Sequence, residues 1–323
     1  MIHTLPIPTP FAIGRVNCYL IEDDPLTLVD TGPNSGKSMA VLERMLREHG
    51  RRVEELERIV ITHQHNDHLG LVGVLADRSG ADVAVLEQLA PVIEEFGAHA
   101  EANDELAGAL MLRHGIPRDV VTALRAVSRA YRGWGGSARV TTRLRDGGEL
   151  GFAGRTLQVL HRPGHSPSDT IFFDPAGGDL LGGDHLLERI SSNPLIARPL
   201  GGRSGEPGDG RPRALIMYME SLRATRELPV TRVLPGHGDP FGGHAALIDQ
   251  RLELHERRAR RIARLIAERP RTAHEIAQEI WGNVAVTQAY LTLSEVLGHV
   301  DLLVERGEVA ETDRGGVVQL TAT

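Results

Sequence analysis

The sequence has very few of the residues that mark several common protein classes. Cys18 is the only cysteine among 323 residues, so the chain forms no internal disulfide. We expect the Cys18 side chain to be small, buried and apolar in its contacts. Any metal must therefore be bound by histidine and carboxylate groups.

No apolar run approaches the roughly 20 residues of a membrane-spanning helix. The first residues lack a basic segment followed by a long apolar stretch, so we expect no signal peptide, and we expect a cytoplasmic protein without a membrane partner.

Lysine is almost absent. Lys37 is the only lysine, and every other cationic side chain apart from histidine is arginine. A bias this complete indicates a genome-wide effect on composition, so a single arginine is weak evidence for phosphate binding. The formal net charge of −7 argues against a nucleic-acid partner without excluding one.

Strand and helix patterns alternate along the first part of the chain, which predicts an α/β fold. Residues 88–131 interrupt the alternation with helical periodicity and no strand signal, and we interpret them as a helical insertion. Residues 192–213 are rich in Gly, Pro and Arg and predict a long loop. Its arginines are candidate contacts for an anionic group such as a coenzyme A phosphate; they are Arg198, Arg203, Arg211 and Arg213.

The last part of the chain changes character. A long amphipathic helix is followed by a second helix, which begins with a capping box at Thr272 and Glu275, then by a third helix and a hairpin turning at "DRGG". We predict a hydrolase domain over residues 1–243 and a winged-helix-like domain over residues 244–323. Basic and acidic residues nearly balance in the second domain, whereas a DNA-binding domain usually has a basic face. The balance therefore favours a packing, lid or dimerisation role over DNA binding. Whether the chain forms a homodimer stays open.

The segment "ITHQHNDHLG" crowds metal-binding side chains directly after an apolar run. His63 and His65 are two residues apart, so on an extended segment they point the same way. Asp67 and His68 follow in the turn and face a second nearby point. This spacing predicts ligands for two adjacent metal centres rather than for one.

Three further candidate ligands follow apolar strands elsewhere: His165 in "HRPGHSPSD", Asp184 in "LLGGDH" and His237 in "VLPGHGDP". We predict that His63, His65 and His165 bind one metal ion, that Asp67, His68 and His237 bind the other, and that Asp184 bridges them. Imidazole and carboxylate ligands suit two divalent ions. Zinc is the expected metal, with iron and manganese as alternatives.

Five motifs follow one another along the chain: "LVDTG" with Asp30, "HQHNDH", "GH", "GGD" and "PGH". In this order of motifs, the chain closely resembles the metallo-β-lactamase fold superfamily over roughly residues 5–244. The resemblance is to the hydrolase branch of that superfamily. With the insertion and the C-terminal tail, the chain further resembles the β-lactamase-like protein 2 group. The resemblance implies an αββα sandwich with metals at the sheet edges. It also implies that Asp30 is not a ligand but orients a ligand histidine through its free ring N–H. Asp67 and Asp30 are the expected catalytic carboxylates.

The candidate ligands predict a hydrolase with a metal-bridging hydroxide, and the resemblance implies that it attacks an ester-type bond of a small molecule, either a thioester or a lactone. The alternative is a single-strand endoribonuclease, which requires a basic track leading to the metals. A non-catalytic binding protein is a third hypothesis, and the complete ligand set argues against it. The sequence identifies no substrate-binding residue.

Other polar residues near these motifs are assigned no role in the chemistry. We expect Asp169 to be a solvent-facing turn residue. His161 and His185 are interpreted as structural. The remaining helical histidines are expected to be surface or packing residues; these are His99, His114, His244, His255, His274 and His299.

Overall fold

The computed structural model describes residues 1–202 and 211–323. Arg203, one of the predicted anion contacts, lies outside the described residues. Within those two ranges, no helix combines the length and the apolarity that crossing a bilayer requires.

A six-stranded sheet forms the first half of the molecule, with strand order β1-β2-β3-β4-β5-β6. The first three strands pair antiparallel, and β3 to β6 pair parallel. The strands are β1 Ile2–Ile7, β2 Val16–Ile21, β3 Thr27–Val29, β4 Arg58–Ile61, β5 Asp82–Leu86 and β6 Thr142–Leu144. Every residue of β2 is buried, which explains its apolar sequence without alternation.

A five-stranded sheet forms the second half, with strand order β11-β10-β9-β8-β7. Its strands pair antiparallel except for β10 and β11, which are parallel. The strands are β7 Glu149–Gly151, β8 Thr156–His161, β9 Thr170–Phe173, β10 Asp179–Gly183 and β11 Arg232–Pro235. Because β10 and β11 run in the same direction, the residues that follow them lie at the same edge of the sheet.

The two sheets pack face to face and are covered by helices, which confirms the αββα sandwich. Tyr19 and Val60 of the first sheet share one apolar cluster with Phe172 and Leu234 of the second. The outer face of the first sheet packs against α1 Gly36–Glu48 and α3 Val72–Ser79. The outer face of the second packs against α7 Ala214–Arg226 and the start of α8 His244–Glu268. Cys18 is fully buried in the first outer cluster, as predicted.

The predicted insertion consists of helices: α4 Ala90–Glu94, α5 Phe96–Arg113 and α6 Arg118–Tyr131. After α8, the chain forms α9 Ala273–Trp281, α10 Val284–Thr287, α11 Ala289–Glu305 and the hairpin β12 Val309–Arg314 with β13 Val317–Ala322. The Thr272–Glu275 capping box is present. Apolar residues of α5 and α6 share one core cluster with those of α8, α9 and α11. The predicted domain boundary and the winged-helix assignment stay predictions.

Candidate metal centre

The seven candidate ligands lie where strands end. His63 and His65 follow β4, and the short helix α2 Asn66–Leu69 carries Asp67 and His68. Asp184 follows β10, His237 follows β11, and His165 lies in the connection between β8 and β9. The two sheets thus bring residues from distant parts of the chain to one edge of the sandwich.

The first group contains three histidines and an aspartate. The Nδ1 atom of His65 lies 3.0 Å from Nε2 of His63 and 3.0 Å from Nε2 of His165. With Asp184, each side chain offers one ligand atom, and all four atoms lie within 4.8 Å of one another. The i, i+2 spacing on an extended segment therefore places His63 and His65 side by side, as the pattern predicted.

The second group lies beside the first. Its three ligand atoms, from Asp67, His68 and His237, also lie within 4.8 Å of one another. Asp184 faces both groups: its Oδ2 is 3.6 Å from Nε2 of His165 and 3.4 Å from Nε2 of His237, and its Oδ1 is 3.4 Å from Nε2 of His68. The predicted set thus comes together with Asp184 in the middle, while its role in binding metal stays a prediction.

Unsatisfied polar atoms show that the residues fit a metal. His68 Nε2, His237 Nε2 and Asp184 Oδ1 are buried and have no hydrogen-bond partner in the described part of the chain. Three such atoms facing one another are costly unless something else binds them. A divalent cation bound by imidazole nitrogen and carboxylate oxygen would satisfy all three.

Asp30 supports His68 from behind. Its Oδ2 accepts a hydrogen bond of 2.7 Å from Nδ1 of His68, which leaves Nε2 directed at the centre. The carboxylate also accepts bonds from the backbone N–H and the hydroxyl of Thr62. Asp30 has a φ of +59°, a conformation that aspartate tolerates better than most residues. The hydrogen bond places Asp30 behind His68, and its role as a positioning residue stays a prediction.

Two backbone carbonyls hold two of the other candidate ligand histidines. Nδ1 of His165 lies 3.0 Å from the carbonyl oxygen of Asn193, and Nδ1 of His237 lies 2.7 Å from that of Arg15. The amide group of Asn193 donates to the carbonyl of Leu291, at the start of α11. Sequence reasoning missed these supports, because every residue has a carbonyl and nothing in the sequence distinguishes these two.

The electrostatics of the centre favour positive charge. Burial lowers the pKa of His63 well below its ordinary value and that of His65 to about 3, so both are neutral, the form that binds metal. Burial acts in the same direction on His68, but Asp184 and Asp30 outweigh it and hold the pKa of His68 well above 6.5. Buried carboxylates that stabilise an imidazolium would stabilise a divalent cation more strongly.

Gly236 lets the two groups approach. A Cβ atom at this position would lie 2.2 Å from Oδ1 of Asp184 and 2.8 Å from Cε1 of His68. Any larger residue would therefore push apart two of the candidate ligands.

The expectation for Asp169 was wrong. The residue is 2% exposed, and its carboxylate accepts hydrogen bonds from the backbone N–H and the hydroxyl of Ser166. The turn is covered because the backbone N–H of Gln64 donates to the hydroxyl of Ser168, which ties the turn to the "HQH" segment. Asp169 thus braces the turn that carries His165.

Two of the loop arginines differ from their expected surroundings. Arg211 is buried and paired with Asp301 and Glu311, and Arg213 lies 3.7 Å from Glu305, so both contact acidic residues of α11 or β12. Arg198 is exposed. His185 is buried against Thr225, as a structural residue would be. A third group with metal-binding geometry, which the sequence analysis missed, consists of His255, Glu295 and His299.

Comparisons with known proteins agree with the fold. A family model described as "Metallo-beta-lactamase superfamily" matches residues 12–237. The "Probable metallo-hydrolase YqjP" of Bacillus subtilis (strain 168) is 34% identical over 298 residues, 92% of this chain and 90% of that protein. The "Beta-lactamase-like protein 2 homolog" of Caenorhabditis elegans is 22% identical over 281 residues, 85% of this chain and 74% of that protein.

A solved structure is similar over the whole chain. The crystal structure of a metallo-beta-lactamase family protein from Thermus thermophilus superposes with a TM-score of 0.83 at 27% sequence identity. The match covers 100% of this chain and 98% of that one.

Proposed function

The chain belongs to the metallo-beta-lactamase superfamily and is a metal-dependent hydrolase, and on that premise we propose that it uses two divalent ions, preferably zinc, to cleave a thioester or lactone bond in a small molecule. The observation that carries the proposal is the pair of adjacent ligand groups with Asp184 between them. Seven imidazole and carboxylate groups at one sheet edge are more than one ion needs.

When bound, such ions lower the pKa of coordinated water to about 7 and polarise a carbonyl group. The chain's own residues set the geometry for this chemistry. Asp67 and Asp184 supply negative charge to the centre, and Asp30 keeps the proton of His68 on Nδ1 so that Nε2 is free to bind. The hydrogen bond from His165 Nδ1 to Asn193 fixes the other group in the same way.

The pairing of two loop arginines supports an ester-type substrate over RNA. A ribonuclease needs cationic side chains along the path of the phosphodiester backbone. Arg211 and Arg213 of the long loop instead neutralise acidic residues of α11 and β12. The same pairing removes them as contacts for a coenzyme A phosphate, so a thioester substrate would be recognised through its acyl side or by other residues.

The test is hydrolysis of a panel of thioesters and lactones beside a labelled single-stranded RNA, by protein reconstituted with Zn²⁺. We expect ester-type turnover by the wild-type chain and loss of at least about 1,000-fold in the His63→Ala/His68→Ala double variant, since oriented metal ligands supply most of the catalysis. His99→Ala is the matched control, because His99 lies on α5 outside the ligand groups.

Mutant-sensitive cleavage of RNA with inert esters would replace the proposal by the endoribonuclease alternative. Equal turnover by the double variant and the wild type would show that the centre is not the site of hydrolysis.

A further inference from the structure

A buried group of metal-binding side chains lies between α8 and α11. His255 lies on α8, and Glu295 and His299 lie one helical turn apart on α11. Both histidines are 0% exposed and Glu295 is 7% exposed. Each of the three side chains offers one ligand atom, and these atoms lie within 4.8 Å of one another.

The histidine tautomers suit a shared ion. Nδ1 of His299 donates a hydrogen bond of 2.6 Å to the carbonyl oxygen of Glu295, so its Nε2 carries a lone pair. That lone pair faces Nδ1 of His255 at 3.3 Å. Two nitrogen ligands bound to one tetrahedral zinc ion at about 2.0–2.1 Å lie roughly 3.3 Å apart. A histidine that donates its other ring N–H to a carbonyl is also the usual arrangement around a bound metal.

Nε2 of His255 has no hydrogen-bond partner among the described residues, whichever tautomer the ring takes. A hydrogen bond between the rings involves only His255 and His299, whereas a shared ion also accounts for the ligand atom of Glu295 within 4.8 Å of both. Burial lowers the pKa of each ring to about 4, so both are neutral at physiological pH and available to a metal.

Glu295 completes the group with a carboxylate. Its Oε1 is paired with Arg258, which neutralises the buried acid. A carboxylate has about four lone-pair sites on two oxygens, so this ion pair leaves acceptor capacity for a cation. One carboxylate and two imidazoles are a ligand set that zinc accepts.

We propose that His255, Glu295 and His299 bind a structural divalent cation of the zinc class that clamps α8 to α11, separately from the centre at the sheet edge. Tyr218 of α7 contacts both regions: its ring centroid lies 6.1 Å from that of His255 and 5.8 Å from that of His185, the neighbour of Asp184. The burial of all three ligands indicates a closed site without access for substrate.

The test is the number of zinc ions per chain in stripped protein that is reloaded with Zn²⁺ and gel-filtered, measured by mass spectrometry of the metal. We expect His299→Gln and, independently, Glu295→Gln to bind one ion fewer than the wild type. His274→Gln is the matched control, since His274 is buried on α9 in the same helical region, and it should bind the full number. Circular dichroism identifies any variant that fails to fold.

The second readout is thermal unfolding of the His63→Ala/His68→Ala protein. Added Zn²⁺ should raise its melting temperature, and His299→Gln in that background should abolish most of the rise, because an ion that binds only the folded state stabilises it. Equal metal content in the wild type and in both cluster variants would overturn the proposal and leave a purely hydrogen-bonded pair. A zinc-induced rise of equal size with and without His299 would overturn it as well.

Discussion

Replacing Asp30 by asparagine tests how the chain positions His68. Asparagine keeps the size of the side chain and tolerates the positive φ of this position. The carboxylate now accepts hydrogen bonds from His68 Nδ1 on one oxygen and from the Thr62 backbone N–H on the other. An amide has only one oxygen, so either orientation directs its NH₂ group at one of these donors.

The expected effect is a fall in metal affinity of about 10- to 100-fold, equivalent to about 1.4–2.8 kcal/mol. The loss arises because the imidazole is free to take the other tautomer or to rotate. The buried donor that is left unpaired also costs about 1–3 kcal/mol of folding stability.

The measurement is competition for Zn²⁺ between the apoprotein and a chromophoric chelator. Asp174→Asn is the matched control. Asp174 is 4% exposed and accepts hydrogen bonds from the backbone N–H groups of Ala176 and Gly177. It precedes β10 and therefore lies at the opposite end of that strand from Asp184. The control should lose stability without losing zinc affinity. Equal zinc affinity of Asp30→Asn and the wild type would refute the argument that Asp30 positions a ligand.

Three further changes test other parts of the structure. Asn193→Ala should weaken zinc binding about 2- to 10-fold in the same chelator assay, because it removes one hydrogen bond that fixes the support of a ligand histidine. Arg211→Ala should lower the free energy of unfolding by about 3–5 kcal/mol in urea, since it removes a buried cation that is paired with a buried carboxylate. The pKa of His255 is lowered to about 4, so its contribution to stability is complete above pH 6.5 and lost as pH falls towards 4. Between pH 7 and pH 4, the free energy of unfolding of metal-free His255→Gln should therefore fall by about 1–3 kcal/mol less than that of the wild type.

Each of these changes has its own control. Asn103→Ala removes a different tether of the same loop, to the backbone of Arg198, and should leave zinc affinity unchanged. Arg145→Ala breaks an exposed pair with Glu87 and should cost less than about 1 kcal/mol. A wild-type-like zinc affinity of Asn193→Ala would contradict the role of its hydrogen bond. A fall of less than about 1 kcal/mol in the free energy of unfolding of Arg211→Ala would contradict the role of the buried pair. Parallel pH profiles of the free energy of unfolding for His255→Gln and the wild type would contradict the argument from the pKa of His255.

Local spacing determined much of the fold and of the candidate ligand set. His63 and His65 follow an apolar strand at a separation of two, and an extended backbone directs such residues to the same side whatever surrounds them. His165, Asp184 and His237 were recognisable because each follows a strand and has a glycine beside it. The capping box at Thr272 was equally predictable, since its hydrogen bonds join residues three apart.

Tertiary packing decided what depends on distant surfaces. The turn pattern at Asp169 does not reveal that the "HQH" segment covers it, so its burial could not be inferred. The sequence predicted that Arg211 could contact an anion, but the structure buries it against acidic residues of α11 and β12. His255 and His299 are 44 residues apart and meet only because α8 and α11 cross. Sequence patterns report the direction of a side chain along its own element, whereas burial and partnership depend on which other element packs against it.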